Sequence, residues 1–148
     1  MIGWRLCRRR HAMLDGEGAR LIGGRWNPRG TAAVYLAESI SLAALECLVH
    51  FDARSAPTDY VAVRVHFDAA WVESVDDPPK RWRDDPPSTS QAFGSRWLGE
   101  SRSAVLAVPS VVIPIETDYI LNPAHPDFGG IEVDAPIDFS FDARLLIR

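Results

Sequence analysis

The chain has 148 residues, 47% of them hydrophobic and 24% charged, which is the size of one globular domain that buries its own core. A formal net charge of −4 excludes a general electrostatic footprint for direct nucleic-acid binding, while a local cluster of arginines can still hold a small anion. The longest nearly apolar run, residues 104–115, is broken by Pro109, Ser110 and Pro114 and is too short to cross a bilayer as a helix, so no membrane association is expected.

Residues 1–10 carry four arginines without the apolar stretch of a secretory signal after them, which points to the cytoplasm. Residues 4–7 (WRLC) predict a short strand. The basic and then glycine-punctuated residues 8–24 hold too many turn formers for one regular element and are expected to be mostly loop. Residues 31–37 (TAAVYLA) predict a buried strand. From Ser39 or Ser41, Leu42, Leu45, Leu48 and Val49 recur at the spacing of an amphipathic helix of about three turns. Cys7 and Cys47 lack the paired spacing of a zinc site or redox dithiol and are expected as reduced core residues.

After a turn over residues 55–59, Val61, Val63, Val65 and Phe67 alternate with Ala62, Arg64 and His66, the period of a half-buried strand. Residues 74–87, with two Pro-Pro pairs and dense mixed charge, should run along the surface. A helix from Ser88 to about Ser103 and two strands, in residues 103–108 and 110–115, are expected next. Residues 122–130 must be loop, and the period-two residues 138–148 would close the sheet. The order does not alternate regularly enough for a doubly wound parallel fold. The fold class is therefore α+β: a single domain over residues 1–148, with a mixed central sheet and a few packed helices.

The chemistry concentrates first in residues 23–30 (GGRWNPRG). Arg25 is a planar donor fork that matches phosphate oxygens two at a time, Gly23 and Gly24 let backbone approach a ligand, Trp26 adds a flat apolar surface, and Asn27-Pro28 is a turn signal. Such a loop suits a nucleotide, or else Arg25 and Trp26 form a surface cation–π pair beside an ordinary turn. Tyr35 on the following strand and Glu46 on the otherwise apolar helix bring two more polar groups from consecutive elements. A carboxylate in that company is either paired with an arginine for structural reasons or placed to meet positive charge appearing in a reaction.

Residues 18–50 (GARLIGGRWNPRGTAAVYLAESISLAALECLVH) resemble the core of the RES domain family, the toxin half of bacterial toxin and Xre-type antitoxin pairs. Tyr35 and Glu46 follow Arg25 by 10 and 21 residues, Ser110 supplies the family's serine, and Asn122, Pro123, His125 and Pro126 are similar to its closing motif. The least family-like part is residues 76–87. The resemblance implies an ADP-ribosyltransferase-like fold and degradation of NAD as a substrate by cleavage between nicotinamide and ribose, with water or phosphate as acceptor and no metal.

In that chemistry the residues take these roles. Glu46 stabilises positive charge on the ribose, Arg25 clamps a phosphate, Tyr35 stacks on the nicotinamide or ribose, and Ser110 orients Glu46 or a ribose hydroxyl. Ser110 reads equally as an exposed hydroxyl after a proline turn. Arg5 is a second phosphate contact, and Gly24, Trp26 and Asn27 line the substrate. His125 reads either as an acid or base or as a cap on backbone carbonyls. An Xre-type antitoxin covering the site is implied as partner, and a homodimer is compatible with the family. Ala44 stands where many transferases of that fold carry a second acid, which weakens the alternative of an ADP-ribosyltransferase acting on a macromolecule. A module that binds a nucleotide or a protein without chemistry is the remaining alternative.

Overall fold

The computed structural model describes residues 1–52 and 57–147. Eight strands form one sheet: β1 (Ile2–Arg8), β2 (Val34–Ala37), β3 (Tyr60–His66), β4 (Val72–Ser74), β5 (Val105–Pro109), β6 (Thr117–Leu121), β7 (Glu132–Val133) and β8 (Ile137–Phe139). Their order is β4-β5-β6-β2-β1-β3-β7, with β8 also paired to β3. Only β4 and β5 run parallel; the other pairs are antiparallel, so the sheet is mixed, as expected of an α+β domain. The helices are α1 (Glu17–Ile22), α2 (Ile40–Leu48) and α3 (Ser88–Glu100). Among the described residues no helix is long and apolar enough to cross a membrane.

Alternation along the central strands divides the core. Val34 and Leu36 of β2 join Val61, Val63, Val65, Tyr119 and Leu121 on one side. On the other side Tyr35 packs with Trp26, Trp97, Leu106, Val108 and Ile120, and Ala37 packs with Leu6, Leu42, Ala43 and Ala62. That second face carries both α2 and α3. The side chain at position 118 on β6 lies on it too, in step with Ile120.

Several elements differ from expectation for local reasons. Residues 8–24 are not all loop: Arg9–His11 make a 3-10 turn, and α1 forms after Gly16. Residues 110–115 are not a strand. The Ser110 hydroxyl accepts from the backbone N–H of Val112 at 3.1 Å and of Ile113 at 3.0 Å, which folds this apolar stretch into a turn and delays β6 to Thr117. In α2, Ser39 is the cap, accepting from the Leu42 N–H, and the buried stripe is Leu42, Ala43 and Leu48. Leu45 and Val49, expected on that stripe, are exposed. Glu46 lies one turn after Leu42 and therefore faces the sheet. Residues 55 and 56 of the expected turn at 55–59, and Arg148 of the closing segment, lie outside the described residues.

Helix α3 packs against the loop after α1 at Gly94. A Cβ there would lie 1.8 Å from the Trp26 carbonyl oxygen, a backbone atom that cannot step aside. Gly94→Ala is expected to lower stability by about 3 kcal/mol, at the upper end of overpacking costs. Urea unfolding checks this, and a midpoint equal to that of the parent protein would show that α3 does not bear on Trp26.

Candidate active site

The site is assembled from four pieces on the face that carries α2 and α3. Residues 23–30 form a loop closed by its own polar groups. Gly23 sits at φ 77°, and Asn27, fully buried, donates from Nδ2 to the carbonyls of Ala19 (2.9 Å), Thr31 (2.9 Å) and Pro28 (3.2 Å). The Tyr35 hydroxyl accepts from the Trp26 N–H at 2.9 Å and donates to Asn27 Oδ1 at 2.7 Å. Burial drives the Tyr35 phenol far above its ordinary value, so it stays protonated and keeps that donor. Gly24 is required by this packing: a Cβ would come within 2.6 Å of the Tyr35 hydroxyl. Gln91 of α3 fixes the loop from outside, donating to the Gly24 carbonyl at 2.9 Å.

Between Gly24 and Trp26 the loop presents Arg25, half-buried. Its Nη1 donates to the carbonyls of Asp84 at 2.8 Å and Trp82 at 3.1 Å. Among the described residues it makes no ion pair with a carboxylate. A guanidinium anchored by neutral carbonyls keeps its full positive charge and has further N–H groups for an anion. The charged, proline-rich residues 76–87 therefore do more than run along the surface, since their backbone aims Arg25.

Glu46 reaches the same face from α2. Ser110, fully buried, donates from Oγ to Glu46 Oε1 at 2.5 Å, so the serine is not an exposed hydroxyl after a turn. The sequence reading missed Asp118, whose carboxyl hydrogen-bonds the Glu46 side chain. Burial first, and then the neighbouring Glu46, Glu38 and Glu116, push Asp118 well above the usual carboxylate range. Each of these causes favours the neutral form of the Asp118 carboxyl. An acid on β6 in step with the buried Ile120 was the available signal. The Tyr35 hydroxyl feels both the Arg25 cation and the Asp118 carboxyl, which links the cationic and acidic ends of the site.

The remaining sequence candidates fall elsewhere. Trp26 is not a ligand platform at the surface and forms no cation–π pair with Arg25. It is buried, stacked on Trp82 at 5.9 Å and 24° and meeting Phe93 edge-on at 5.9 Å. Asn27 spends its polar atoms on the loop. Arg5 shares the pleat of Cys7, opposite to Leu6. Its Nη2 donates to the His11 carbonyl at 3.3 Å, and its Nε is buried with no protein partner. His125 Nδ1 accepts from the Asp127 N–H at 3.1 Å, capping a 3-10 turn at an amide rather than at carbonyls. Cys7 and Cys47 are free thiols pushed up by burial, Cys47 to about 12.

A cleft of about 410 Å³ opens beside the site, between Val75, Trp82, Pro109 and Pro114–Thr117. It shares Trp82 with the Arg25 anchor and Pro109 with the strand end before Ser110, but Arg25, Tyr35 and Glu46 do not line it. The acid and the cation do not line this cleft together.

The sequence and the mixed-sheet fold match a known family. The RES domain model matches residues 2–142, and the chain belongs to the RES domain family. Toxin Res of Yersinia enterocolitica (serotype O:8 / biotype 1B) is 38% identical over 151 aligned residues, covering 98% of this chain and 99% of that protein. The Prs ADP-ribosylating toxin of Sphingobium sp. (strain YBL2) is 38% identical over 139, covering 90% and 86%. The fold is that seen in the crystal structure of the Mycobacterium tuberculosis MbcT–MbcA toxin–antitoxin complex, with TM-score 0.77, 20% identity, and coverage of 98% of this chain and 86% of that one.

The raised proton affinity of Asp118 sets a stability signature. Its ordinary value is 3.8, so between there and the raised folded value the folded state holds a proton that the unfolded state has lost. The contribution is fully present below about pH 4 and is lost as pH rises, by up to about 1.4 kcal/mol per pH unit. Asp118→Asn, which cannot titrate, should match the parent protein in urea unfolding under acid conditions and exceed it increasingly at neutral and mildly alkaline pH. A stability difference independent of pH would contradict the raised proton affinity of Asp118.

Proposed function

We propose that this protein is the toxin of a bacterial type II toxin–antitoxin system and that it destroys NAD by cleaving the bond between nicotinamide and ribose. The observation that carries the proposal is a carboxylate fixed by a buried serine, beside a half-buried arginine that has no carboxylate partner among the described residues. When the bond breaks, its electron pair leaves with the nicotinamide nitrogen and positive charge develops on the ribose. Glu46, held by Ser110, stabilises that charge in surroundings drier than bulk water. Water or phosphate then adds to the ribose and gives up a proton.

Arg25 takes a phosphate of the dinucleotide with the donors that Trp82 and Asp84 leave open. Arg5, with its unpartnered Nε, lies on the other face of β1 and takes no part in this reading. Tyr35 acts by holding the loop rather than by stacking on the substrate, since its hydroxyl is committed to Trp26 and Asn27. Gly24, Trp26 and Asn27 build the loop that carries Arg25. NAD is substrate here, and no metal enters the reaction as written; among the described residues no group of three His, Cys, Asp or Glu is placed to hold one. The relatives named as toxins and the toxin–antitoxin complex of like fold support an antitoxin as partner, which we propose is of Xre type and covers the site.

A second reading, transfer of ADP-ribose to a protein, is favoured by the name of the Sphingobium relative, an ADP-ribosylating toxin. Labelled NAD incubated with cell lysate separates the two, because transfer leaves label on a macromolecule and cleavage leaves it on small products. For the first reading, purified protein should release nicotinamide from NAD. Glu46→Gln and Arg25→Ala should each lose roughly a hundredfold or more in rate, with circular dichroism unchanged. Full activity in both folded variants would overturn the site assignment.

A further inference from the structure

We infer that Gln91 is a positioning residue for the reaction proposed above: its side-chain amide fixes the peptide that leads into Arg25 and so sets the direction in which the Arg25 guanidinium meets a phosphate of the substrate. The inference rests on the NAD-cleaving reading and on the phosphate contact given there to Arg25.

The direction of an arginine is set by the two rigid peptide planes that flank its Cα. The plane between Gly24 and Arg25 is held at its carbonyl, which accepts from Gln91 Nε2 at 2.9 Å. The plane between Arg25 and Trp26 is held at its N–H, which donates to the Tyr35 hydroxyl at 2.9 Å. One bond therefore fixes the φ side of Arg25 and the other its ψ side. The Gln91 amide has one way round, because a backbone carbonyl only accepts and so faces the NH2 end of the side chain. The Gly24 N–H is already spent inside the loop, on the Asn27 carbonyl at 2.9 Å. What Gln91 adds is a tie from the loop to a separate element, 67 residues further along the chain.

Helix α3 gives this tie a firm base. Its first turn is anchored at Pro87, whose carbonyl accepts from the Gln91 N–H at 2.9 Å and from the Ser90 hydroxyl at 3.1 Å. Gly94 follows Gln91 by three residues, on the same face of the helix, and packs against the Trp26 carbonyl. One face of α3 thus holds the chain on both sides of Arg25. A few residues earlier, the same stretch supplies the Trp82 and Asp84 carbonyls that grip Nη1. Backbone and side-chain tip of Arg25 are set from one continuous segment, residues 82–94. Without the Gln91 donor the tip stays tethered, but the peptide between Gly24 and Arg25 is free to rock, and the donors not used on Trp82 and Asp84 lose their fixed aim.

The test is steady-state NAD cleavage by the parent protein and by Gln91→Met, which keeps the length of the side chain and removes its donor, with Gln91→Ala as a second variant. Each should lose roughly tenfold in kcat/KM, the larger part as a rise in KM, with circular dichroism unchanged, because the phosphate is gripped before the bond breaks. Repeating Gln91→Met in the Arg25→Ala background separates positioning from general support of the fold. With the guanidinium gone, the second change should cost less than about twofold. An unchanged KM, or the same penalty with and without Arg25, overturns the inference. In parallel, nitrogen-15 NMR of the arginine Nε–H groups, with Arg25 assigned through Arg25→Lys, needs no substrate. An Arg25 signal shifted or broadened in Gln91→Met supports the inference, and one identical with that of the parent sinks it. A parent protein that releases no nicotinamide defeats the NAD reading alone, and the NMR arm then decides whether Gln91 sets Arg25.

Discussion

The site depends on one hydrogen bond that closes a gap of 64 residues, from the Ser110 hydroxyl to the Glu46 carboxylate. A carboxylate turned toward a sheet would ordinarily find an arginine or lose its charge, because burying it unpaired is too costly. Glu46 does neither. The serine supplies a charge-assisted donor, worth about 1.5–3 kcal/mol, while its own lone pairs are filled by two amides of the turn it organises. The turn between β5 and β6 and the orientation of the acid are therefore one construction, and neither survives without Ser110.

The cationic half follows a different logic. Gly24, Trp26, Asn27 and Tyr35 lock together so that the one side chain of the loop left to address a ligand is that of Arg25. The glycine is there because the tyrosine hydroxyl occupies the space a Cβ would need, and the tryptophan because α3 and Trp82 need a partner in the core. Residues that look in sequence like ligand contacts are here the mounting of a single contact.

This explains what could be read beforehand and what could not. Periodicity revealed the strand at Val61–Val65 and the helix around Leu42; Arg25, Tyr35 and Glu46 stood out as polar groups on consecutive elements, while Ser110 came only with the family resemblance. Trp26 and Asn27 were misplaced because a Gly-Arg-Trp-Asn string looks the same whether its aromatic ring faces solvent or core; the decision comes from Phe93 and Trp82, more than fifty residues away. The stretch 110–115 looked like a strand because its residues favour one, and a side-chain hydroxyl competing for two amides overrode that preference. Asp118 was hidden for the opposite reason. It sits among Glu116, Thr117 and Tyr119, where an acid reads as the polar half of an alternating strand, and only the approach of α2 gives it a second carboxylate to answer.

The grip on Arg25 by the carbonyls of Trp82 and Asp84 has a consequence for how such proteins can vary. Every amino acid carries that oxygen, so the stretch from Asp76 to Pro87 is free to change its side chains, apart from the indole at 82, and still hand the same cation to the same place. A stretch that grips through its backbone can diverge without loosening the hold it was built to keep.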